Sequence, residues 1–166
     1  GKKGTKVTLG IKRGKSDELI DYEVVRDKIP LNSIDAAFML DKNVGYIKLD
    51  RFAQTSNTEF EESLAKLKTQ KMKSLILDLR GNTGGYLNIA AELSNQFLKK
   101  DMTIVYTEGD KSPKQIFNTD KNGKFTDGKL IILIDEGSAS ASEIVSGAVQ
   151  DWDRGILIGR RSFGKG

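Results

Sequence analysis

The 166-residue chain contains no cysteine and no histidine. Without cysteine it has no disulfide, no thiolate nucleophile and no cysteine-bound structural zinc. Without histidine it lacks the usual general base near neutral pH and the commonest transition-metal ligand, so a metal would have to bind carboxylates and carbonyls. No apolar run approaches the roughly 20 residues that a membrane-spanning helix needs. These absences leave hydroxyl, carboxylate and amine groups as the available catalytic side chains.

The composition is that of an ordinary globular protein, with 37% hydrophobic and 30% charged residues and a net charge of +4. Six basic residues and no acidic one stand between Gly1 and Lys15, a pattern that also occurs in nucleic-acid-binding segments. However, Val7, Leu9 and Ile11 alternate with polar residues, which predicts a strand whose lysines face solvent. No interleaved aromatic residues offer base stacking, so we expect no nucleic-acid partner.

Hydrophobic periodicity predicts a β-hairpin followed by alternating strands and helices. The hairpin is expected at residues 5–11 and 19–26 and is closed by Pro30; a second one is expected to turn at Asn122-Gly123. The main strands are predicted at residues 44–49, 74–79, 103–108, 129–135 and 155–159, and the helices at 56–70, 87–97 and 140–152. This alternation predicts an α/β fold with a parallel or mixed sheet and helices on both faces.

Ligands of such sheets bind beyond the carboxyl ends of the strands, which directs attention to the loops at residues 80–85, 135–139 and 160–166. The first loop, "RGNTGG", can offer backbone N–H groups to an anion or a developing oxyanion. It lacks the lysine of a P-loop and does not fit the dinucleotide fingerprint. The alternative is that its glycines serve only a tight strand-to-helix turn.

The second loop, in "DEGSASASE", carries Ser138, Ser140 and Ser142 at the start of the last helix. A hydroxyl there gains from the helix dipole and from nearby free amides, which stabilise an alkoxide or a tetrahedral oxyanion. The competing interpretation is a capping box between Ser140 and Glu143, in which the serine has only a structural role. A serine also needs a base, and here that base must be a carboxylate, an amine or a group from another chain.

Lys165 is the candidate base, because it follows an apolar strand and stands between two glycines in "FGKG". Burial disfavours the charged form of a lysine and lowers its pKa by up to several units, which makes the amine usable for proton abstraction. The alternative is a solvated lysine in an exposed loop.

Four segments, "GYIKLDRF", "LILDLRGNTGG", "DEGSASASEIVSGAVQD" and "GRRSFGKG", together resemble the C-terminal processing peptidases, or tail-specific proteases, in order and spacing. The resemblance covers residues 42–166. It implies an α/β core similar to the ClpP and crotonase folds, with Ser140 as the nucleophile and Lys165, 25 positions later, as the base. A Ser-Lys pair would explain how the chain dispenses with histidine.

The resemblance also assigns supporting groups. The amide of Ala141 and an amide of Gly84 or Gly85 would form the oxyanion hole, and Asp151 matches an acidic position that is either accessory to the site or structural. Thr83 departs from the family, which usually has proline there. The family's further catalytic glutamine would lie four residues beyond Lys165, past the end of this sequence, so we expect this chain alone to be inactive.

The resemblance divides the chain into the C-terminal end of a PDZ domain at residues 1–14, a connecting segment at 15–41 and a protease core at 42–166. It also implies that a β-hairpin remnant of the PDZ domain precedes the core. It implies a serine endopeptidase outside the cytoplasm, periplasmic or membrane-attached, that needs no cofactor or metal. The expected partners are unfolded or loosely folded proteins with apolar C-termini, and a homo-oligomeric full-length protein is compatible with it. Two alternatives are a non-catalytic peptide- or ligand-binding module on the same fold and an acyl-thioester enzyme of the crotonase type.

Overall fold

The chain divides into two units between residues 31 and 32. The computed structural model describes residues 1–14, 18–27 and 31–165, so part of the first predicted turn, Pro30 and Gly166 lie outside the described residues. The first unit is an antiparallel hairpin of β1 (Lys6–Lys12) and β2 (Leu19–Val25). The strands predicted for this hairpin are confirmed.

The second unit contains a five-stranded sheet in the order β3-β4-β5-β8-β9. The elements of the second unit are β3 (Ile34–Asp41), β4 (Val44–Leu49), α1 (Ser56–Thr69), β5 (Ser74–Asp78), α2 (Leu87–Asn95), β6 (Thr103–Gly109), β7 (Ser112–Asn118), β8 (Lys129–Ile134), α3 (Ala141–Asp151) and β9 (Ile156–Gly159). β6 and β7 form a separate two-stranded sheet. β3 is antiparallel to β4, and the other neighbours in this sheet are parallel. The α/β class and the mixed, mostly parallel sheet are therefore confirmed.

The three helices pack on one face of the sheet. Ile47, Leu77 and Ile132 occupy neighbouring register positions on that face and are fully buried. They form one core with residues from each helix: Phe60, Leu64 and Leu67; Ile89, Ala90 and Leu93; Ala141, Val145 and Val149. No helix within the described residues is long and apolar enough to span a bilayer.

The other sheet face corrects the prediction of helices on both faces. Ile131 is half-buried there and Ile158 is exposed, and in the described part of the chain no helix covers them. The strands are apolar on both faces, so their sequence does not reveal which face a helix covers. One-sided coverage leaves the core between the sheet and the helices.

The segment before β4 contains β3, a strand that the hydrophobic pattern does not predict. β2 pairs with β1, and β3 joins the main sheet through β4. Register shifts between Ile34 and Ala36 and between Met39 and Asp41 interrupt the alternation of β3, which hides it in the sequence. The structural boundary thus falls at residues 31 and 32.

The predicted hairpin turn at Asn122-Gly123 is wrong. β7 pairs with β6, and the two strands are joined through Asp110 and Lys111. Gly123 instead lies against the end of α2, where an added Cβ would come within 2.2 Å of the Asn95 carbonyl oxygen. The glycine is needed there for close approach to this backbone.

Candidate active site

Three loops beyond the carboxyl ends of β5, β8 and β9 form one edge of the second unit. The amide of Gly81 donates to Oδ1 of Asp135 at 2.8 Å, which joins the first loop to the second. The amide of Phe163 donates to the carbonyl oxygen of Ser138 at 3.0 Å, which joins the third loop to the second. The loops selected from the sequence therefore lie together.

Ser140 occupies the sharp turn between β8 and α3. Its backbone has φ 54° and ψ −113°, a conformation that a non-glycine residue adopts only with strain. Ser140 and Glu143 form the capping box that the sequence indicates, and the amide of Ser140 donates to Oε2 of Glu143 at 2.8 Å. An ordinary N-cap, however, has extended backbone geometry. Capping alone does not explain the strained serine, whereas a strained strand-to-helix turn is how several hydrolases expose a nucleophilic hydroxyl.

The glycine loop lies directly against this serine. A Cβ added to Gly84, whose φ is +100°, would come within 2.9 Å of Ser140 Cβ and 3.0 Å of the Ala141 amide nitrogen. Gly85 in turn lies against Phe52, whose carbonyl oxygen would be 2.1 Å from an added Cβ. Glycine is therefore required at both positions for the loop to approach so closely.

Two of the three proposed oxyanion-hole amides are available. The Gly84 amide donates to Oδ1 of Asn82 at 2.9 Å and is thus occupied. Among the described residues, no protein acceptor bonds the amides of Gly85 or Ala141. Ala141 is the first residue of α3, where an amide has no partner within the helix.

Asn82, which the sequence analysis did not select, holds the glycine loop in place. This fully buried side chain donates to the Leu49 carbonyl oxygen at 2.8 Å and accepts the Gly84 amide. The backbone carbonyl oxygen of Asn82 accepts the Ala139 amide at 3.0 Å and the Ser142 hydroxyl at 2.8 Å. The only sequence signal for this role is an amide side chain within a glycine-rich turn.

Asp78, at the end of β5, supports the same loop from the other sheet face. Its buried carboxylate accepts the Tyr46 hydroxyl at 2.7 Å and the guanidinium and amide of Arg80. Burial raises the pKa of Asp78, but the bonds from Arg80 and Tyr46 outweigh it and lower the pKa to about 2. Burial and the Asp78 carboxylate raise the pKa of Tyr46 to about 12.

Lys165 is exposed, which corrects the prediction of a desolvated lysine. No hydrogen bond joins its ammonium to Ser140, and within residues 31–165 the ammonium has no hydrogen-bond or ion-pair partner. The reason is local: the segment after β9 runs over the surface, and Phe163 beside it is also exposed. The backbone amide of Lys165, in contrast, donates to Oε2 of Glu143 at 2.8 Å.

Asp151 ends α3 at the opposite end from Ser140 and is exposed. At 1.5 Å per residue the two lie roughly 16 Å apart along the helix. Asp151 lines a groove of about 440 Å³ between α3 and β6, together with Ile104, Ile144 and Trp152. The structure therefore does not bring Asp151 to Ser140.

The comparison with protein families identifies the relatives of this arrangement. Residues 43–166 match peptidase family S41. The chain belongs to peptidase family S41. This match begins at residue 43, and the resemblance seen in the sequence begins at residue 42. The matched region includes Ser140, Lys165 and the glycine loop.

Individual relatives match over the whole chain. A carboxy-terminal-processing protease of Bartonella bacilliformis is 39% identical over 171 residues, which cover 100% of this chain and 39% of that protein. A probable CtpA-like serine protease of Staphylococcus epidermidis is 37% identical over 167 residues, which cover 100% of this chain and 33% of that protein. The chain thus spans between a third and two fifths of the length of these relatives.

Solved structures of two proteases share the fold. The photosystem II D1 C-terminal processing protease superposes with a TM-score of 0.72 at 24% identity, covering 100% of this chain and 46% of that one. A putative S41 protease of Bacteroides fragilis gives 0.70 at 17% identity, covering 96% and 47%.

Proposed function

We propose that this chain carries the catalytic centre of a serine endopeptidase in which Ser140 is the nucleophile and Lys165 the general base. The observation that carries the proposal is the strained backbone of Ser140, packed against Gly84 at the start of α3. Capping does not require this strain, whereas presenting a hydroxyl to a substrate carbonyl accounts for it. The names of the relatives, carboxyl-terminal-processing proteases, support the same activity.

The proposed reaction is acyl transfer to the serine. The neutral amine of Lys165 takes the proton of the Ser140 hydroxyl while Oγ attacks the peptide carbonyl carbon, and the resulting ammonium then protonates the leaving amine. The amides of Ala141 and Gly85 donate to the oxyanion of the tetrahedral intermediate. A water molecule, deprotonated by the same amine, then hydrolyses the ester of the acyl-enzyme and frees Ser140.

This mechanism requires a neutral lysine close to Ser140. The side chain of Lys165 is exposed in the described part of the chain. We therefore propose that bound polypeptide covers its amine during the reaction. Displacing water from around an amine favours its neutral form. The backbone of Lys165 is already held near Ser140, because the amides of Lys165 and Ser140 donate to the same oxygen of Glu143.

The proposed substrates are unfolded or loosely folded proteins with apolar C-terminal tails, cleaved outside the cytoplasm. We further propose that the β1–β2 hairpin is the end of a PDZ domain, which would select such tails by strand addition. Exposed apolar side chains on both strands, at Leu9, Ile20 and Tyr22, support this assignment, because a complete domain would bury them. No metal or cofactor takes part in the proposed reaction.

A non-catalytic binding module is the second candidate. The exposure of Lys165 and the capping box of Ser140 favour it, because neither requires chemistry. In that case the groove and loops around α3 would hold a polypeptide without cleaving it.

Cleavage of an unstructured protein that ends in an apolar tail tests the proposal. The intact protein is compared with its Ser140→Ala, Lys165→Ala and Lys165→Arg variants. Loss of cleavage in all three is expected, because arginine keeps the charge but cannot act as a base. Tail binding without cleavage by the parent would establish the binding module instead, and cleavage by Lys165→Arg would exclude lysine as the base.

A further inference from the structure

Glu143 accepts four hydrogen bonds that connect the start of α3 to the segment after β9. Its Oε2 accepts the amides of Ser140 and Lys165, each at 2.8 Å. Its Oε1 accepts the Ser162 hydroxyl at 2.8 Å and the Gly164 amide at 2.6 Å. One half-buried carboxylate thus contacts the backbone of both proposed catalytic residues.

Capping explains only one of these bonds. In a capping box the residue at the third helical position accepts the N-cap amide, and either glutamate or glutamine serves. The other three donors, at Ser162, Gly164 and Lys165, belong to a segment some 20 residues later in the chain. They are not needed to start a helix, so they indicate a second role for this side chain.

The four donors also select an ionised carboxylate, because each oxygen accepts two bonds. Burial raises the pKa of Glu143, but the amides of Lys165, Gly164 and Ser140 and the Ser162 hydroxyl outweigh it and hold the pKa below its usual range. A carboxylate that accepts backbone amides in this way is a rigid connection between the elements that donate.

We propose that Glu143 is a positioning residue that holds the backbones of Ser140 and Lys165 in one fixed arrangement. The inference rests on the proposed Ser-Lys chemistry. Among the described residues, the exposed side chain of Lys165 has no hydrogen bond or ion pair that would bring it to Ser140, so its backbone attachment sets the place from which the amine acts. Reaction rate falls steeply when reacting groups are misplaced by even about 1 Å.

Glu143→Gln separates this role from capping. Glutamine still caps, so α3 keeps its start. Its amide nitrogen, however, cannot accept, so at least one backbone amide of the later segment faces a donor instead of an acceptor. We expect kcat to fall about tenfold or more with KM nearly unchanged. The reason is that an unpaired amide disfavours the arrangement in which residue 143 holds the segment after β9. Ser162→Ala removes one donor only and is expected to lower kcat less.

Glu59→Gln is the matched control. Glu59 accepts the amides of Ser33 and Ile34 and the Thr55 hydroxyl near the start of α1, at 2.7, 3.1 and 2.6 Å. The exchange removes the same kind of acceptor away from Ser140 and Lys165. It is expected to leave kcat unchanged, even if the thermal midpoint falls.

Amide hydrogen exchange in the intact protein provides a readout that does not depend on cleavage. In Glu143→Gln, residues 160–165 should exchange faster than in the parent while α3 remains protected. Equal exchange in parent and variant, or parental kcat in Glu143→Gln, would overturn the positioning role. If Ser140→Ala cleaves as well as the parent, the Ser-Lys proposal fails; faster exchange in Glu143→Gln would then still show the connection, and the catalytic part of the inference would be refuted.

Discussion

Gly84 packs against Ser140 so closely that no side chain fits between them: an added Cβ would lie 2.9 Å from Ser140 Cβ. The same atom would lie 2.7 Å from the carbonyl oxygen of Ala139, a backbone atom that cannot move aside as the end of a flexible side chain could. This contact fixes the distance between the glycine loop and the start of α3. It therefore determines where the free amides of Gly85 and Ala141 lie relative to the serine.

Gly84→Ala should abolish cleavage in the intact protein, because the methyl group pushes the loop away from Ser140. Gly81→Ala is the matched control. Gly81 also has positive φ, at 72°, but nothing lies within 4 Å of an added Cβ. The control is expected to lose about 1–2 kcal/mol from backbone strain and to keep cleavage. Equal activity of the two variants would contradict the role given to this contact.

Ser140→Gly should remove strain as well as the hydroxyl. Glycine adopts φ 54° and ψ −113° readily, and as an N-cap it is only a few tenths of a kcal/mol worse than serine. We expect Ser140→Gly to be at least as stable as the parent, and Ser140→Ala to be less stable than Ser140→Gly, in urea unfolding. A Ser140→Gly variant less stable than the parent would contradict the strain at this position.

Asn82→Ala should destabilise the second unit and lower cleavage together. The exchange leaves the Leu49 carbonyl and the Gly84 amide without partners in a buried place, at a cost of about 1–3 kcal/mol. Asn88→Ala, an exposed asparagine of α2, is the control and should change neither property. Unfolding by urea at neutral pH measures the difference, and an unchanged midpoint in Asn82→Ala would show that the loop holds its shape without this side chain.

The stability of the protein should decrease in acid, in part through Asp78. Its pKa is about 2 when folded against an ordinary value of 3.8. A carboxyl whose pKa is lowered by folding stabilises the folded state above the ordinary pKa, and this contribution is lost as pH falls from about 4 to 2. Asp78→Asn should therefore flatten the acid limb of the unfolding free energy, whereas Glu136→Gln, in an exposed ion pair with Arg160, should leave it nearly unchanged. Identical acid limbs in the parent and Asp78→Asn would contradict this assignment.

The sequence was sufficient where local pattern and tertiary fold agree. The apolar runs of β5 and β8, the helix after Ser140 and the glycine loop all follow from periodicity and turn chemistry. These elements also bring the proposed nucleophile and oxyanion hole together, because carboxyl ends of neighbouring parallel strands share one edge.

Other features depend on contacts that a linear pattern does not contain. β7 includes Pro113 and, in the described part of the chain, pairs with β6 alone. It therefore shows little strand signal, while Asn122-Gly123 offers a misleading hairpin signal. The capping-box pattern predicts one hydrogen bond of Glu143, from Ser140, but not the three from Ser162, Gly164 and Lys165. The exposure of Lys165 depends on what packs over the segment after β9, which neither its glycines nor the preceding strand determine.

Covalent labelling tests the central claim most directly. The intact protein is treated with a fluorophosphonate, which reacts with activated serines, and the modified residue is located by mass spectrometry. The account predicts a single adduct at Ser140 that is lost in Lys165→Ala and slower to form in Glu143→Gln, while Glu59→Gln labels like the parent. An adduct on another serine, or labelling of Ser140 at the parental rate in Lys165→Ala, would contradict the Ser-Lys pair.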